Sequence, residues 1–363
     1  MSCVGLDTTS ERVVTRAASR VGTTTTPSTT TPAGAGDTTT TTGPATDSGS
    51  GNAVTIAFGG DVHFAPPLDS TLARSPTTML DGVKPALASA DLSIVNLETS
   101  IGSGGDRQPK AFNFQAPPTA FDALTAAGVD VIGMANNHSL DYGQPGLAQT
   151  LAAASARKAP VIGVGADDDD AFAPLIARVK GQRIAFIAAT QVLDGNLTAA
   201  WTATATHPGV ASAKRVDRLT RAVTEARRAA DTVVVFLHWG TELEHCPNPA
   251  QLDLAPRLVE AGADVIVGGH AHRLQGGGYL GRAYVAYGLG NFMFKVGGGE
   301  GAETGVLTVE VTGRRVDGAR WQPARIGGDF RPVLLPAAAA GPALARWEGY
   351  RSCAKLAGAP TGG

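Results

Sequence analysis

The sequence predicts an α/β domain in which largely parallel sheets are covered by helices. Nine short apolar runs recur between residues 53 and 312, and helical patterns lie between many of them. The runs are apolar nearly throughout, which is the pattern of strands buried on both faces. Regular alternation of such strands with helices argues for a parallel sheet. At 363 residues, 43% of them hydrophobic, the chain can bury a sizeable core.

Residues 1–52 stand outside this pattern. The stretch VGTTTTPSTTTPAGAGDTTTTTGPATDSGSGNA is nearly all Thr, Pro, Gly, Ser and Ala. It cannot bury enough apolar surface to offset its chain entropy. A disordered, extended and O-glycosylated tether is expected, of the kind that joins an envelope anchor to an extracytoplasmic domain. The opening MSCVGLDTTSERVV is too polar for a signal-peptide core. Cys3 therefore reads in two ways. It is a lipidated cysteine whose upstream apolar segment is lost to a wrong start codon, or a stray cysteine in a floppy tail. No run reaches the length of a transmembrane helix.

The strand-like runs are 53–58, 91–98 (DLSIVNLE), 129–135 (VDVIGMA), 159–165 (APVIGVG), 183–190 (RIAFIAAT), 232–239 (TVVVFLHW), 263–269 (ADVIVGG), 283–290 (AYVAYGLG) and 304–312 (TGVLTVEVT). Between them, residues 214–230 place Val216, Leu219, Val223, Ala226 and Ala230 three or four positions apart, which predicts an amphipathic helix. A second helix is expected from Asn248 to Ala261, with Pro249 near its start and Gly262 after its end. Residues 53–335 read as one domain, and 336–363 as a terminal tail whose stretch 341–357 forms a last surface helix. Lys+Arg (30) nearly balances Asp+Glu (32). That balance offers no electrostatic case for nucleic acid or for an anionic membrane surface.

Five of the seven histidines share one context. His63 follows run 53–58, His138 follows 129–135, His238 lies near the end of 232–239, and His270 and His272 end ADVIVGGHAH. In open α/β sheets ligands collect beyond the carboxyl ends of the strands. Asp61 comes with His63, Asn137 with His138, and run 91–98 brings Glu98 to the same rim. A lone histidine at a strand end is ordinarily a hydrogen-bonded loop residue, and D-x-H or H-x-H alone says little. Five at once point to metal. Imidazole, carboxylate and amide oxygen suit Mn, Fe or Zn. Seven candidate ligands (Asp61, His63, Glu98, Asn137, His238, His270, His272) exceed the needs of one ion. A carboxylate such as Glu98 would then bridge two ions about 3.5–4 Å apart, leaving His138 free as an acid. His207 and His245 lack the strand-end context and read as loop residues.

In order along the chain stand GGDVHF, NLETSIG, ANNHSLDYG, LHWGTELEHCPNPAQ, GGHAHRLQ and YGLGNFMF. Together they resemble the CapA family, named for poly-γ-glutamate capsule synthesis and placed among the calcineurin-like metallophosphoesterases. The resemblance implies a four-layer αββα sandwich. It implies one divalent ion on Asp61, His63, Glu98 and His272, a second on Glu98, Asn137, His238 and His270, and His138 as general acid. Asp141, Tyr142, Glu242 and Asn291 match family positions too, either as groups that orient ligand imidazoles or as loop hydrogen-bonders. Two departures stand out. Glu98 replaces the aspartate of most phosphoesterases, and the family's GHHPH is Gly268-Gly269-His270-Ala271-His272 here.

The function implied is a metal-dependent, phosphoesterase-like hydrolase of cell-envelope or poly-γ-glutamate capsule polymer metabolism. Its expected partners are a phosphorylated or polymeric envelope substrate and capsule-synthesis machinery. It would work outside the cytoplasm, at the envelope or secreted. A non-catalytic accessory protein of polymer synthesis or export, and a hydrolase of γ-linked amides, are the competing readings. In an oxidising compartment Cys246 and Cys353 would pair across the domain; the alternative is two independent thiols.

Overall fold

The computed structural model describes the backbone of residues 13–16 and the whole of residues 51–361. Two sheets lie face to face. In the first, among the described residues, Val13–Arg16, Leu175–Val179, Gln182–Thr190, Thr232–Trp239, Val265–His270, Ala283–Leu289 and Leu274–Leu280 run side by side in that order. In the second the order is Pro332–Leu334, Arg315–Ile326, Glu303–Thr312, Val54–Val62, Leu92–Leu97, Val131–Gly133 and Val161–Ile162, with Asn291–Met293 beside Val54–Val62. The inner strands of the first sheet and one half of the second pair in parallel. The remaining ladders of these two sheets are antiparallel, apart from that of Asn291–Met293.

Three cores set the layers. Between the sheets, Ile56, Phe58 and Ile94 meet Phe186, Phe236 and Val265. Outside the second sheet, Phe121 and Leu124 of helix Thr119–Ala126 and Leu147 of Gly143–Arg157 cover Val95 and Ile132. Outside the first, Leu219 and Val223 of Val216–Ala229 and Leu254 and Leu258 of Pro249–Ala261 cover Val233 and Val235. Helix, sheet, sheet, helix is the expected αββα sandwich. Central strands such as Leu92–Leu97, Thr232–Trp239 and Val265–His270 are buried throughout because they lie between two of these cores, which is why those runs are continuously apolar.

All nine expected runs contain strands, and both interior helices lie where their periodicity places them. Pro249–Ala261 starts from a reciprocal capping box, with Asn248 accepting from the Gln251 N–H and Gln251 from the Asn248 N–H. It stops at Gly262, which takes the left-handed conformation.

Four features depart from expectation. Run 159–165 is broken in two, because Gly163 has φ +89° and turns the chain so that Val164–Gly165 pairs with Gly209–Val210. Strand Leu274–Leu280 leaves no apolar run in the sequence, because three of its seven residues, LQGGGYL, are glycine. It is built for close approach: a Cβ at Gly276 would meet the Tyr350 carbonyl carbon at 2.5 Å. The last helix runs from Ala337 to Gly349, earlier than expected, since its four leading alanines are strong helix formers. It is anchored by buried Trp347, stacked on Trp321 at 4.4 Å, and the chain then turns so that Ala357 bridges Tyr279. Finally, Val13–Arg16, within the segment expected as a tether, pairs with Leu175–Arg178. The remainder of residues 1–50, with the Cys3 anchor reading, lies outside the described residues.

Cys246 and Cys353 form a disulfide, their Cα atoms 5.6 Å apart. It ties the loop after Thr232–Trp239 to the turn after the last helix. Among the described residues no helix is long and apolar enough to cross a membrane.

Candidate metal centre

The site lies where the carboxyl ends of both sheets meet. The second sheet supplies Asp61 from Val54–Val62, His63 just beyond it, Glu98 after Leu92–Leu97, and Asn137 and His138 after Val131–Gly133. The first supplies His238 from Thr232–Trp239 and His270 and His272 from the end of Val265–His270. Asp61, Glu98 and His238 are sealed from solvent, and His63, His138 and His270 are nearly so.

Glu98 is the centre of the set. Its ligand oxygens belong to two donor groups, one with His270 and His272 and one with Asp61 and His238, each within 4.8 Å. Glu98 Oε1 lies 3.4 Å from His238 Nε2, 3.8 Å from His138 Nε2 and 4.0 Å from His272 Nε2. The Asn137 Oδ1 lies 2.7 Å from His238 Nε2, on the side facing Glu98. Glu98 is common to both groups. Asp61 lies within reach of imidazoles on both sides, 3.9 Å from His238 Nδ1 and 3.6 Å from His272 Nδ1.

Several contacts fix the donors. His270 donates its backbone N–H to Asp61 Oδ2 at 2.8 Å. Gly269 allows this, since a Cβ there would meet Asp61 Oδ1 at 2.2 Å. Asn291 Oδ1 stands 2.8 Å from His272 Nδ1, which leaves Nε2 turned toward Glu98. His270 and His272 have φ of +86° and +51°. Such left-handed backbone in non-glycine residues costs about 1–3 kcal/mol each and recurs at functional sites.

Electrostatics suit a cation. Both Glu98 oxygens are buried without a hydrogen-bond partner. Burial, reinforced by the Asp61 charge, pushes the Glu98 carboxyl up to about 8. Burial pulls His63 down to about 3 and His238 to about 4, and His270 well below the usual imidazole range. Neutral imidazoles around an orphaned buried carboxylate form the donor set that a divalent metal takes.

His138 stands outside both donor groups. Its Nδ1 is 2.6 Å from Asp141 Oδ2, and its Nε2 faces Glu98. Asp141 therefore orients this imidazole and not one of the ligand imidazoles. His63 stands in neither donor group. Its Nε2 accepts the Lys295 N–H at 3.1 Å, and its ring is stacked on Phe114 and edged by Phe294. Metal ligation would fall to Nδ1, which is buried and without a partner. Glu242 is exposed. No hydrogen bond among the described residues holds it to a ligand imidazole, and its influence on His238 is that of a nearby charge. Tyr142 starts helix Gly143–Arg157. His207 contacts Gln144 and Ala200, and His245 stacks on Tyr350, so both are loop residues as expected.

Four residues of the site escaped the sequence reading. Asn96 bridges Asp61 Oδ1 (2.8 Å) and His238 Nδ1 (3.1 Å), and Asn136 in turn holds Asn96 at 3.0 Å. Both stand inside strand-end motifs already singled out, so position alone could have found them. Lys110 and Phe114 come from an aperiodic loop that carries no comparable signal.

A two-sheet sandwich whose strand ends converge on buried carboxylates and imidazoles is the architecture of the metallophosphoesterase-like proteins. Within that class, residues 55–296 match the model of the bacterial capsule synthesis protein family PGA_cap, and the chain belongs to that family. The capsule biosynthesis protein CapA of Bacillus anthracis is 32% identical over 223 residues, which cover 59% of this chain and 53% of that one. The PGA biosynthesis protein CapA of Bacillus subtilis (strain 168) is 30% identical over 252 residues, 68% of this chain and 65% of that one. The chain thus spans about half to two thirds of the length of these relatives. A 5'-nucleotidase of Candida albicans overlays 76% of this chain and 52% of its own with a TM-score of 0.40 and 11% identity, a likeness too loose to bear on function.

Proposed function

We propose that the protein is a metal-dependent, phosphoesterase-like hydrolase that acts in poly-γ-glutamate capsule metabolism at the cell envelope. The observation that carries the reading is buried Glu98, with both oxygens unpartnered and shared by two donor groups. A structural carboxylate would be hydrogen-bonded. Two divalent ions, of Mn, Fe or Zn type, would be held by Glu98 with Asp61, His238, His270 and His272, aided by Asn137 and by His63 through Nδ1. Bound ions supply Lewis acidity to a phosphoryl oxygen and acidify water. The protein's own part is to exclude solvent, to hold the neutral imidazoles, and to bring a proton to the leaving oxygen from His138 Nε2. No protein nucleophile is needed for such chemistry. The family's capsule role favours a phosphorylated or polymeric envelope substrate and contact with capsule-synthesis machinery.

The test is elemental analysis of the purified protein after supply of Mn or Zn, with phosphodiester and γ-glutamyl peptide substrates. Wild type is expected to hold two ions and to hydrolyse the phosphodiester. Glu98→Ala is expected to lose both ions. Wild type free of transition metal would sink the metal-centre reading. Fully metallated protein that cleaves nothing would leave a non-catalytic accessory role, and cleavage of the γ-glutamyl peptide alone would make it an amidase.

A further inference from the structure

The loop of residues 106–114 is clamped over the segment that carries His138. Gln108 donates its backbone N–H to the Asp141 carbonyl at 2.9 Å, and Phe114 donates its own to Asp141 Oδ2 at 2.6 Å. The Phe114 ring stacks on His138 at 4.2 Å. Asn113 ties the loop to itself through Gln108. Between these contacts lies Lys110, whose side chain is only 7% exposed. Its Nζ is 2.9 Å from Asp141 Oδ1, donates to the Asn137 carbonyl, and sits 5.3 Å from the centre of the Trp201 ring.

We propose that Lys110 is a positioning residue for His138. The inference rests on the hydrolase reading for its catalytic consequence, though not for its geometry. Asp141 is fully buried, and a buried carboxylate stays charged and in place only if a cation or several donors answer it. Lys110 answers Oδ1, which leaves Oδ2 to accept from His138 Nδ1. An ammonium has no acceptor capacity, so the Nδ1 proton goes to the carboxylate 2.6 Å away and not to Nζ at 3.5 Å. The ring is thereby held in one tautomer, with Nε2 toward Glu98. By also binding the Asn137 carbonyl, Lys110 holds both flanks of His138 at once.

The test uses the full-length protein labelled with ¹⁵N-histidine and compares Lys110→Met with Lys110→Arg. In metal-free wild type, the His138 Nδ1–H proton is expected as a downfield resonance, assigned by its loss in His138→Gln. Lys110→Met is expected to lose or shift that resonance and keep its metal content. It should also lower kcat about 10–100-fold, the usual cost of removing an outer partner, with KM little changed. Lys110→Arg, which keeps the charge, is expected to retain the resonance and recover much of kcat. An unmoved resonance in Lys110→Met overturns the proposal, as does an unchanged kcat in an active enzyme. If wild type cleaves no substrate, the hydrolase reading fails by itself, and the ring proton still decides the role of Lys110. If Lys110→Met does not fold, loss of the resonance in folded Lys110→Arg overturns the proposal and its retention upholds it.

Discussion

Glu98 and His138 face each other across 3.8 Å, and the proposed function gives them different work. His138→Ala removes the proposed proton donor and leaves every member of the donor groups in place. It should keep fold and metal content and lose about 10²–10⁴-fold in turnover, least for substrates with good leaving groups. Turnover equal to wild type on a poor leaving group would mean that His138 is not the acid. Glu98 makes a prediction for the metal-free protein. Its folded pKa is raised from 4.5 to about 8, so its stabilising contribution is full below 4.5 and is lost as pH rises through 8. His63 and His238 have depressed values of about 3 and 4 against 6.5. Their contribution is full above 6.5 and is lost as pH falls through those values. Between pH 6.5 and 8 the Glu98 loss therefore stands apart from theirs. Denaturant titrations across this window should show stability falling with pH in wild type and flat in Glu98→Gln. An equal slope in both would reject the assignment.

At the scale of elements, the C-terminal segment is held by three devices. Trp347 is stacked on Trp321, the glycines of Leu274–Leu280 accept the chain from Trp347 to Ala357 at close range, and the Cys246–Cys353 bridge spans 107 residues. Cross-linking a loop of that length restricts the unfolded chain strongly. Cys353→Ser should lower unfolding stability by about 2–5 kcal/mol, read as a lower denaturant midpoint. Metal stoichiometry should not change, since neither cysteine lies in a donor group. A midpoint indifferent to the substitution would mean that the segment is held by packing alone.

For the whole molecule, the consequence is that the donors come from both sheets. Asp61, Glu98 and Asn137 lie on or just after strands of one sheet, and His238, His270 and His272 on or just after strands of the other. An ion bound by both sets ties the sheets together, and a ligand of the native state alone adds about 2.7 kcal/mol at a hundredfold excess over Kd. Chelation should therefore lower the Tm of wild type by several degrees, and readdition of Mn or Zn should restore it. Glu98→Ala should be insensitive to both treatments. A wild-type Tm unmoved by chelator would argue against an ion at this joint.

Much of this was legible in the chain. Continuous apolar runs had to be strands sealed on both faces, and periodic stretches such as 216–229 had to be helices, because burial enforces those patterns locally. Strand ends carry polar side chains to one rim, so the convergence of Asp61, Glu98, His238, His270 and His272 was readable from position alone. Contacts between segments far apart in sequence leave no such periodic trace. Tertiary structure alone decided that His63 gives its Nε2 to the Lys295 N–H, that Asn96 links Asp61 to His238, and that Asp141 meets His138. It also decided that Cys246 meets Cys353, and that Lys110, in a loop with no pattern, ends beside Asp141. The reason is physical. Secondary structure answers to the burial of neighbours along the chain, whereas the partner of a buried polar atom is set by which remote loop packs against it.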